Sequence, residues 1–215
     1  MHAQFQLLRL LGPVAVLVAA GLAVAAETED SGGVGLVNKV ENQAQVISLS
    51  GATTAQVGTE VHLRDELRTG AGARLQVIFR DSTVLTLGEH ASVTIDRYVY
   101  DPGQGVGETV LQATKGAFRF ATGKIQGLKD RKIAVSTPVA DIGVRGTEFW
   151  GGPIDAKFGV FLIEGEVSVS NQAGSVTLSG AGRGTDIGSP LDAPGTPSTW
   201  PAEKVARAID SVALH

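Results

Sequence analysis

The 215-residue chain contains no cysteine. Disulfide frameworks, cysteine-ligated zinc, iron–sulfur clusters and thiol catalysis are therefore excluded together. Aromatic residues make up only 5% of the chain, and eight prolines stand beside 28 glycines. That balance belongs to a turn-rich fold, not to a collagen or a helical bundle. Positive charge is also short: 18 Lys and Arg against 22 Asp and Glu leave a formal net charge of −4. Broad nucleic-acid binding calls for a basic surface, so no nucleic-acid partner is expected. With 43% apolar and 19% charged residues, what remains is the composition of one ordinary domain with its own core.

Long apolar runs are nearly absent too. The one exception is Leu10 to Ala26, which carries no charge, follows Arg9 and closes on Ala23-Val24-Ala25-Ala26. Residues 1–26 read as an export signal cleaved after Ala25 or Ala26. A membrane anchor is the other reading, but the run is short for a bilayer and Gly12, Pro13 and Gly21 interrupt it. No later segment approaches ~20 apolar residues. The expected mature protein is periplasmic or secreted, with no stable membrane anchor after processing.

From Val34 to Ile187 apolar residues recur with period two, broken every few residues by Gly, Asp or Asn turns. Leu75, Val77 and Phe79 alternate with Gln76, Ile78 and Arg80; Phe118 and Phe120 flank Arg119; Val167 and Val169 flank Ser168. These are half-buried strands. Phe158 to Ile163 is apolar on both faces and reads as a strand covered on both sides. The expected fold is all-β, a short-strand roll, sandwich or solenoid-like stack, with a short C-terminal helix. The expected organisation is a lead-in at 27–45, a β domain at 46–188, a Pro-rich linker at 189–200 and a helix at 201–214. In that helix Val205, Ile209 and Val212 form a narrow apolar stripe. A free helix of this length is marginal, so the stripe and Trp200 are expected to pack back on the β domain, closing an end or edge of its sheet.

Residues able to do chemistry are few. Beyond the signal the histidines are His62, His90 and His215, and no HExxH, G-x-S-x-G or P-loop sequence occurs. Glu164 and Glu166 flank Gly165, two apart, a spacing that paired carboxylates of a glycosidase or a calcium site also use. A solvated Glu-Gly-Glu turn is the simpler reading. Lys115, Arg119, Lys124, Lys129, Arg131 and Lys132 crowd one stretch against the single acid Asp130. They read either as a patch for anionic glycan, lipid headgroup or protein, or as an ordinary solvated face. No catalytic residue, metal site or cofactor is assigned.

Two segments carry a family resemblance. One runs from Val57-Gly58 through Glu66-Leu67-Arg68-Thr69-Gly70 to Leu87. The other is Lys115-Gly116-Ala117-Phe118-Arg119-Phe120, then Thr137-Pro138 through Gly143-Val144-Arg145-Gly146-Thr147-Glu148-Phe149, closed by Ile163-Glu164-Gly165-Glu166-Val167-Ser168-Val169. Together, over about Val46 to Val169, they resemble the FecR-domain family. The resemblance implies a non-catalytic, extracytoplasmic β module. In the signalling members of that family the module relays the state of an outer-membrane siderophore receptor to a sigma factor. This chain has Ser82 where the family usually has Gly after Asp81, and the short stretch before its apolar segment is not expected to form an anti-sigma region.

The motif also has a local reading. Pro138 ends or edges a strand because it cannot donate to a ladder. Gly143 and Gly146 bracket a tight corner. Arg145, beside Thr147, is expected to bond carbonyls that the corner leaves unpaired. The resulting expectation is a non-enzymatic FecR-like binding or scaffolding module of the bacterial cell envelope, with a protein or anionic glycan as partner. The alternatives are a regulator relaying a siderophore or receptor signal to an extracytoplasmic sigma factor through a membrane partner, and an envelope carbohydrate-active hydrolase.

Overall fold

The computed structural model describes residues Gly32–His215, so the expected export signal lies outside the described residues. The chain opens with β1 (Gly35–Glu41), β2 (Ala44–Ser48), β3 (Gly51–Thr54), β4 (Glu60–Val61) and β5 (Glu66–Thr69). Next come β6 (Arg74–Phe79), β7 (Val84–Leu87), β8 (Ser92–Asp101), β9 (Val106–Lys115) and β10 (Phe118–Ala121). A single 3₁₀ turn, Lys124–Gly127, leads to β11 (Asp130–Ser136) and the two long strands β12 (Asp141–Ile154) and β13 (Lys157–Asn171). Finally β14 (Gly174–Ser179), β15 (Arg183–Ile187) and β16 (Ser198–Thr199) precede the helix α1 (Ala202–Asp210). The fold is all-β with one short C-terminal helix, as the period-two alternation predicts.

All the described strands join one continuous sheet that curls on itself into a half-barrel. Its two long central strands explain the curl. The first part of β12, Asp141 to Gly143, pairs with β11, and the last part of β13, Glu166 to Asn171, pairs with β14. This branch continues outward as β9, β8, β5, β2 and β3. Beyond a bend, Glu148 to Gly151 of β12 pairs with β10, and Phe158 to Phe161 of β13 pairs with β15. This second branch continues as β7, β6, β1 and β4. The inward side chains of both branches meet in one core that includes Val77, Leu85, Phe120, Phe149 and Leu162 from one and Leu67, Ile95, Leu111, Ile142 and Val169 from the other. The pair β9–β11 is parallel, because the chain crosses to the second branch as β10 before returning.

The stretch expected as a lead-in forms β1, which pairs with β6 along its length and with β4 at Gly35 and Leu36. The β domain therefore begins ahead of Val46. The stretch expected as a linker is also tied down: β16 adds to β15, and the Trp200 backbone N–H donates to Gly182 O at 3.2 Å.

Phe158 to Ile163 is covered on both faces. Val160 and Leu162 enter the main core, while Phe161 joins a second cluster with Ala117, Trp150, Ile154, Trp200, Ala208 and Val212. Trp200 stacks on Phe161 at 5.2 Å and meets Trp150 edge-on at 6.1 Å. The indole N–H of Trp150 donates to Ser211 Oγ at 3.0 Å. The slot for Trp200 exists because Gly159 and Gly184 carry no side chain. A Cβ on either would overlap the indole. The helix, Ala202–Asp210 where 201–214 was expected, buries Ala208, with Val205 and Ile209 half-buried, and Val212 is buried in the turn that follows it. It thus lies over a sheet face; the edge beside it is extended by β16.

Candidate interaction surfaces

The family-motif corner sits at the bend of β12 and β13. Thr137-Pro138 forms the turn between β11 and β12, where Thr137 Oγ1 donates to Ala140 O at 2.7 Å. Phe149 is buried against Phe118 and Phe120. The register between β12 and β13 slips between Arg145 and Glu148. Gly146 (φ 59°) and Gly165 (φ 85°) lie on facing sides of this slip, both left-handed. A Cβ on Gly165 would overlap the Gly146 carbonyl, so both strands can bend together only with glycine here. Gly143, expected at the corner, stands in regular pairing with Ala134 and Ser168, so the irregularity begins after Arg145.

Arg145 does not hold the corner. Its side chain is 81% exposed and comes only within 4.0 Å of Glu166 as an ion pair. Thr147 holds it instead: its hydroxyl accepts from the Arg145 backbone N–H at 3.2 Å and donates to Glu166 O at 2.7 Å. The Thr147 backbone N–H donates in turn to Thr122 Oγ1 at 3.1 Å. A short buried hydroxyl reaches groups inside a bend that a long cationic chain leaves for water.

A second polar staple was not singled out in the sequence. Asp81 is fully buried after β6. Its carboxylate accepts from Thr83 Oγ1 at 2.6 Å, Thr83 N at 3.2 Å, Tyr98 Oη at 3.1 Å and Ile125 N at 3.3 Å. It therefore ties the β6–β7 hairpin to β8 and to the 3₁₀ turn. Burial, then the neighbouring Asp81 charge, pushes the Tyr98 phenol well above its ordinary range. Ser82 adopts φ 68°, the left-handed geometry that a glycine would take at no cost. The Asp-Ser-Thr spacing was the available signal, since Asp at a strand end commonly bonds the backbone two residues on.

The six basic residues do not assemble into one patch. Lys132 pairs with Glu108 at 3.5 Å, beside Arg131, whose guanidinium donates to Leu128 O at 2.8 Å. Lys124 and Lys129 lie just ahead of that strand, at least partly exposed. Arg119 is on the other branch, bonded to Glu148. Lys115 sits at the far end of β9, seven residues from the Glu108 rung, roughly 23 Å along the strand. Successive positions in sequence were dealt to different strands, which is why a linear count overstates the patch.

The carboxylates Glu164 and Glu166 straddle Gly165 on the outside of the bend, in register with Glu148 and Arg145. No group of three His, Asp or Glu able to hold a metal ion occurs among the described residues. A polar recess of about 640 Å³ gathers Glu66, Arg68, Ser92, His90 and Lys115. There the Ser92 hydroxyl holds the Glu66 carboxyl below its ordinary range, with Arg68 adding to the effect against partial burial. Glu66, Arg68 and Ser92 satisfy one another.

Apolar surface is exposed elsewhere, on the first strands. A groove of about 710 Å³ runs along β1 and the end of β6, lined by Leu36, Val57, Ile78 and Phe79. A second, of about 450 Å³, lies beside β3 with Leu49, Leu63, Thr53 and His62. Glu60 lines both. Leu36, Leu49, Val57 and Leu63 are large apolar side chains left to solvent, and edge strands β3 and β4 border them.

These features define a class: an all-β module of one curled sheet whose polar clusters brace the bends and whose first strands leave Leu36, Leu49, Val57 and Leu63 exposed. The FecR protein family profile matches residues 65–168, and the chain carries a FecR domain there. Two crystal structures share the fold, each described as a candidate anti-sigma factor from Parabacteroides distasonis ATCC 8503. They are 19% and 20% identical to this chain over 66% of its length, with TM-scores of 0.52 and 0.50. The chain spans 62% of each of those chains, less than two thirds. No curated protein matches it.

Proposed function

We propose that the chain is a non-enzymatic FecR-like binding module of the cell envelope, exported by a cleaved signal, that engages a protein partner. The observation that carries this reading is a contrast between its surfaces. The buried Asp81 and Thr147 and the half-buried Thr137 are consumed by backbone bonds that brace turns. Exposed apolar side chains gather in the groove that holds Leu36 and Val57. Protein partners favour apolar patches, whereas glycan partners call for polar and aromatic groups facing out.

The test is photo-crosslinking from position 36 in producing cells, with position 177 on β14 as control, followed by mass spectrometry of the adduct. One recurrent protein adduct from position 36 alone supports the reading. Adducts with glycan, or equal labelling at both positions, overturn it. Intact mass of the exported chain should begin near Ala26 or Glu27; retention of Met1 to Ala26 would favour the anchor instead.

A second reading rests on the two solved relatives described as candidate anti-sigma factors. In it, the module relays an envelope signal to a sigma factor through a membrane partner. Deleting the chain should then change transcription from promoters of one extracytoplasmic sigma factor. Unchanged transcript profiles would remove this reading and leave the first intact.

A further inference from the structure

We infer that the polar recess formed by β5, the start of β8 and the end of β9 binds an oxyanion, a carboxylate or phosphate carried on a small polar molecule. The recess shares no lining residue with the Leu36 groove, so the inference does not depend on the partner reading.

The strand register sets a row of side chains across three strands. Arg68 faces Ser92, and Ser92 faces Lys115. At about 4.8 Å between strands, Arg68 and Lys115 stand roughly 10 Å apart at their backbones, with the serine between them. A bulge puts Lys115 there: Ser92 faces Lys115 while Val93 faces Ala113, so Thr114 is one residue extra on β9. Bulges of this kind re-aim side chains. Gly116 then turns left-handed at φ 77° and lies so close to Ala91 that a Cβ on it would overlap. The end of β9 is thereby held against the turn that carries His90. That turn is itself fixed on both sides. The buried Thr69 hydroxyl donates to Gly88 O at 2.6 Å and accepts from Ala91 N at 2.8 Å. The Glu89 carboxylate is drawn off to Gly72 N at 2.9 Å and does not line the recess.

Glu66 is the one acid among the lining residues, and protein groups already occupy it. Arg68 donates to it from Nε at 3.2 Å and from Nη2 at 2.8 Å, and the Ser92 hydroxyl donates at 2.6 Å. The Thr114 hydroxyl donates in turn to Ser92 Oγ at 3.0 Å. The Lys115 ammonium and the His90 ring, both on exposed residues, are left with no acid paired to them among the described residues. The recess thus carries one positive charge in excess, and two when His90 is protonated, within a chain of formal net charge −4. An oxyanion supplies the missing charge and accepts from both groups in charge-assisted bonds. An apolar ligand would find little, since Ala91 is the only apolar residue in the lining. At about 640 Å³ the recess is also larger than the anion alone and falls within the range of small-molecule sites. The Ser92 and Thr114 oxygens keep lone pairs for hydroxyl groups on the body that carries the charge.

The test uses the chain as isolated from producing cells and three probes of similar size: glucuronate, glucose 6-phosphate and glucose. His62, His90 and His215 are the only histidines beyond the expected signal, so their ring resonances can be followed one by one in NMR spectra. At low salt, where exposed charges are least screened, one or both anions should shift the His90 ring saturably below about 10 mM and leave His62 in place. The tighter of the two distinguishes a carboxylate source from a phosphate source. Lys115→Gln should weaken that binding about ten-fold or more. Lys129→Gln removes the same charge from an exposed lysine outside the recess and should change it less than about two-fold. Both positions are exposed, and unchanged melting temperatures would show that the fold is kept. Saturation by neither anion, glucose binding as tightly as the anions, or equal losses for the two lysine variants overturns the inference. A loss confined to Lys115→Gln sustains it.

Discussion

The surface around Trp150 and Trp200 and the rim around Leu36, Leu49 and Val57 begin from the same problem and end differently. Both are apolar patches outside the main core of a curled sheet. At the first, the chain returns after β15, lays Trp200 into a slot made by two glycines and closes it with α1. Lys204 lies over the Trp200 ring at 4.1 Å and bonds Asp186, while Arg207 bonds Asp155 at the β12–β13 hairpin tip. At the rim no later segment of the described residues returns to cover Leu36, Leu49 or Val57. Trp200, α1, Leu36, Leu49 and Val57 all lie outside the residues matched by the family profile. The bent β12–β13 pair lies almost wholly inside the matched residues, whereas the segment that closes one patch and the exposed residues of the other lie outside them. Coverage therefore marks where stability is concentrated, and the exposed rim is the surface on which the proposed partner would sit.

The sharpest way to break the comparison is Trp200→Ala, which should cost about 3–5 kcal/mol as for other large buried aromatics. Urea unfolding measures it, and a loss below about 1 kcal/mol would mean the slot is not a true second core. Next in size is Thr147→Val, which strands the Arg145 N–H and Glu166 carbonyl and should cost about 1–3 kcal/mol. Arg145→Ala, by contrast, should stay within about 0.5 kcal/mol, as exposed side chains do. Equal losses for the two would return the corner to Arg145. Ala156→Gly should stabilise the closed region by about 1 kcal/mol, because Ala156 is held at φ 59° in the β12–β13 turn. A melting temperature that falls would mean the turn is not strained.

At the open rim, Leu36→Ser should leave stability unchanged within about 0.5 kcal/mol while removing crosslinks from that groove. A large loss would show the groove to be core. The smallest effect concerns acid. The Arg207 hydrogen bond holds the Asp155 carboxyl below its ordinary 3.8, opposed by slight desolvation and helped by the Arg207 and Lys204 charges. A lowered folded-state pKa gives stability that is present above pH 3.8 and lost as pH falls through the lowered value. The melting-temperature gap between wild type and Asp155→Asn should thus shrink on going from about pH 7 to about pH 2.5. A constant gap would mean that the ion pair adds nothing to the closed end.

Much of this was legible in advance because strands advertise themselves locally. Leu75, Val77 and Phe79 alternate in sequence and all three are buried, for side chains two apart must share a face. Apolarity on both faces of Phe158 to Ile163 foretold two cores, and Trp200 with the Val205–Val212 stripe foretold a docked helix. Less could be read where the answer depends on which distant strand comes alongside. Asp81 stands out in the sequence only as the residue before Ser82, yet it binds Tyr98 and Ile125, brought from later in the chain. The run from Lys115 to Lys132, which reads either as one patch or as an ordinary solvated face, is spread over two branches.

The sequence by itself determined the alternating strands and their faces, a glycine corner at Gly146 and the FecR resemblance. Each follows from short-range sterics: period-two packing, proline's missing donor and glycine's access to positive φ. Only the tertiary structure decided that Thr147, not Arg145, satisfies the bend, that β1 completes the second branch and that β3 is left open. Those outcomes depend on which backbone groups find partners after the sheet has curled. A hydrogen bond is made by whatever group lies within reach, and reach across a fold is not written in the order of residues.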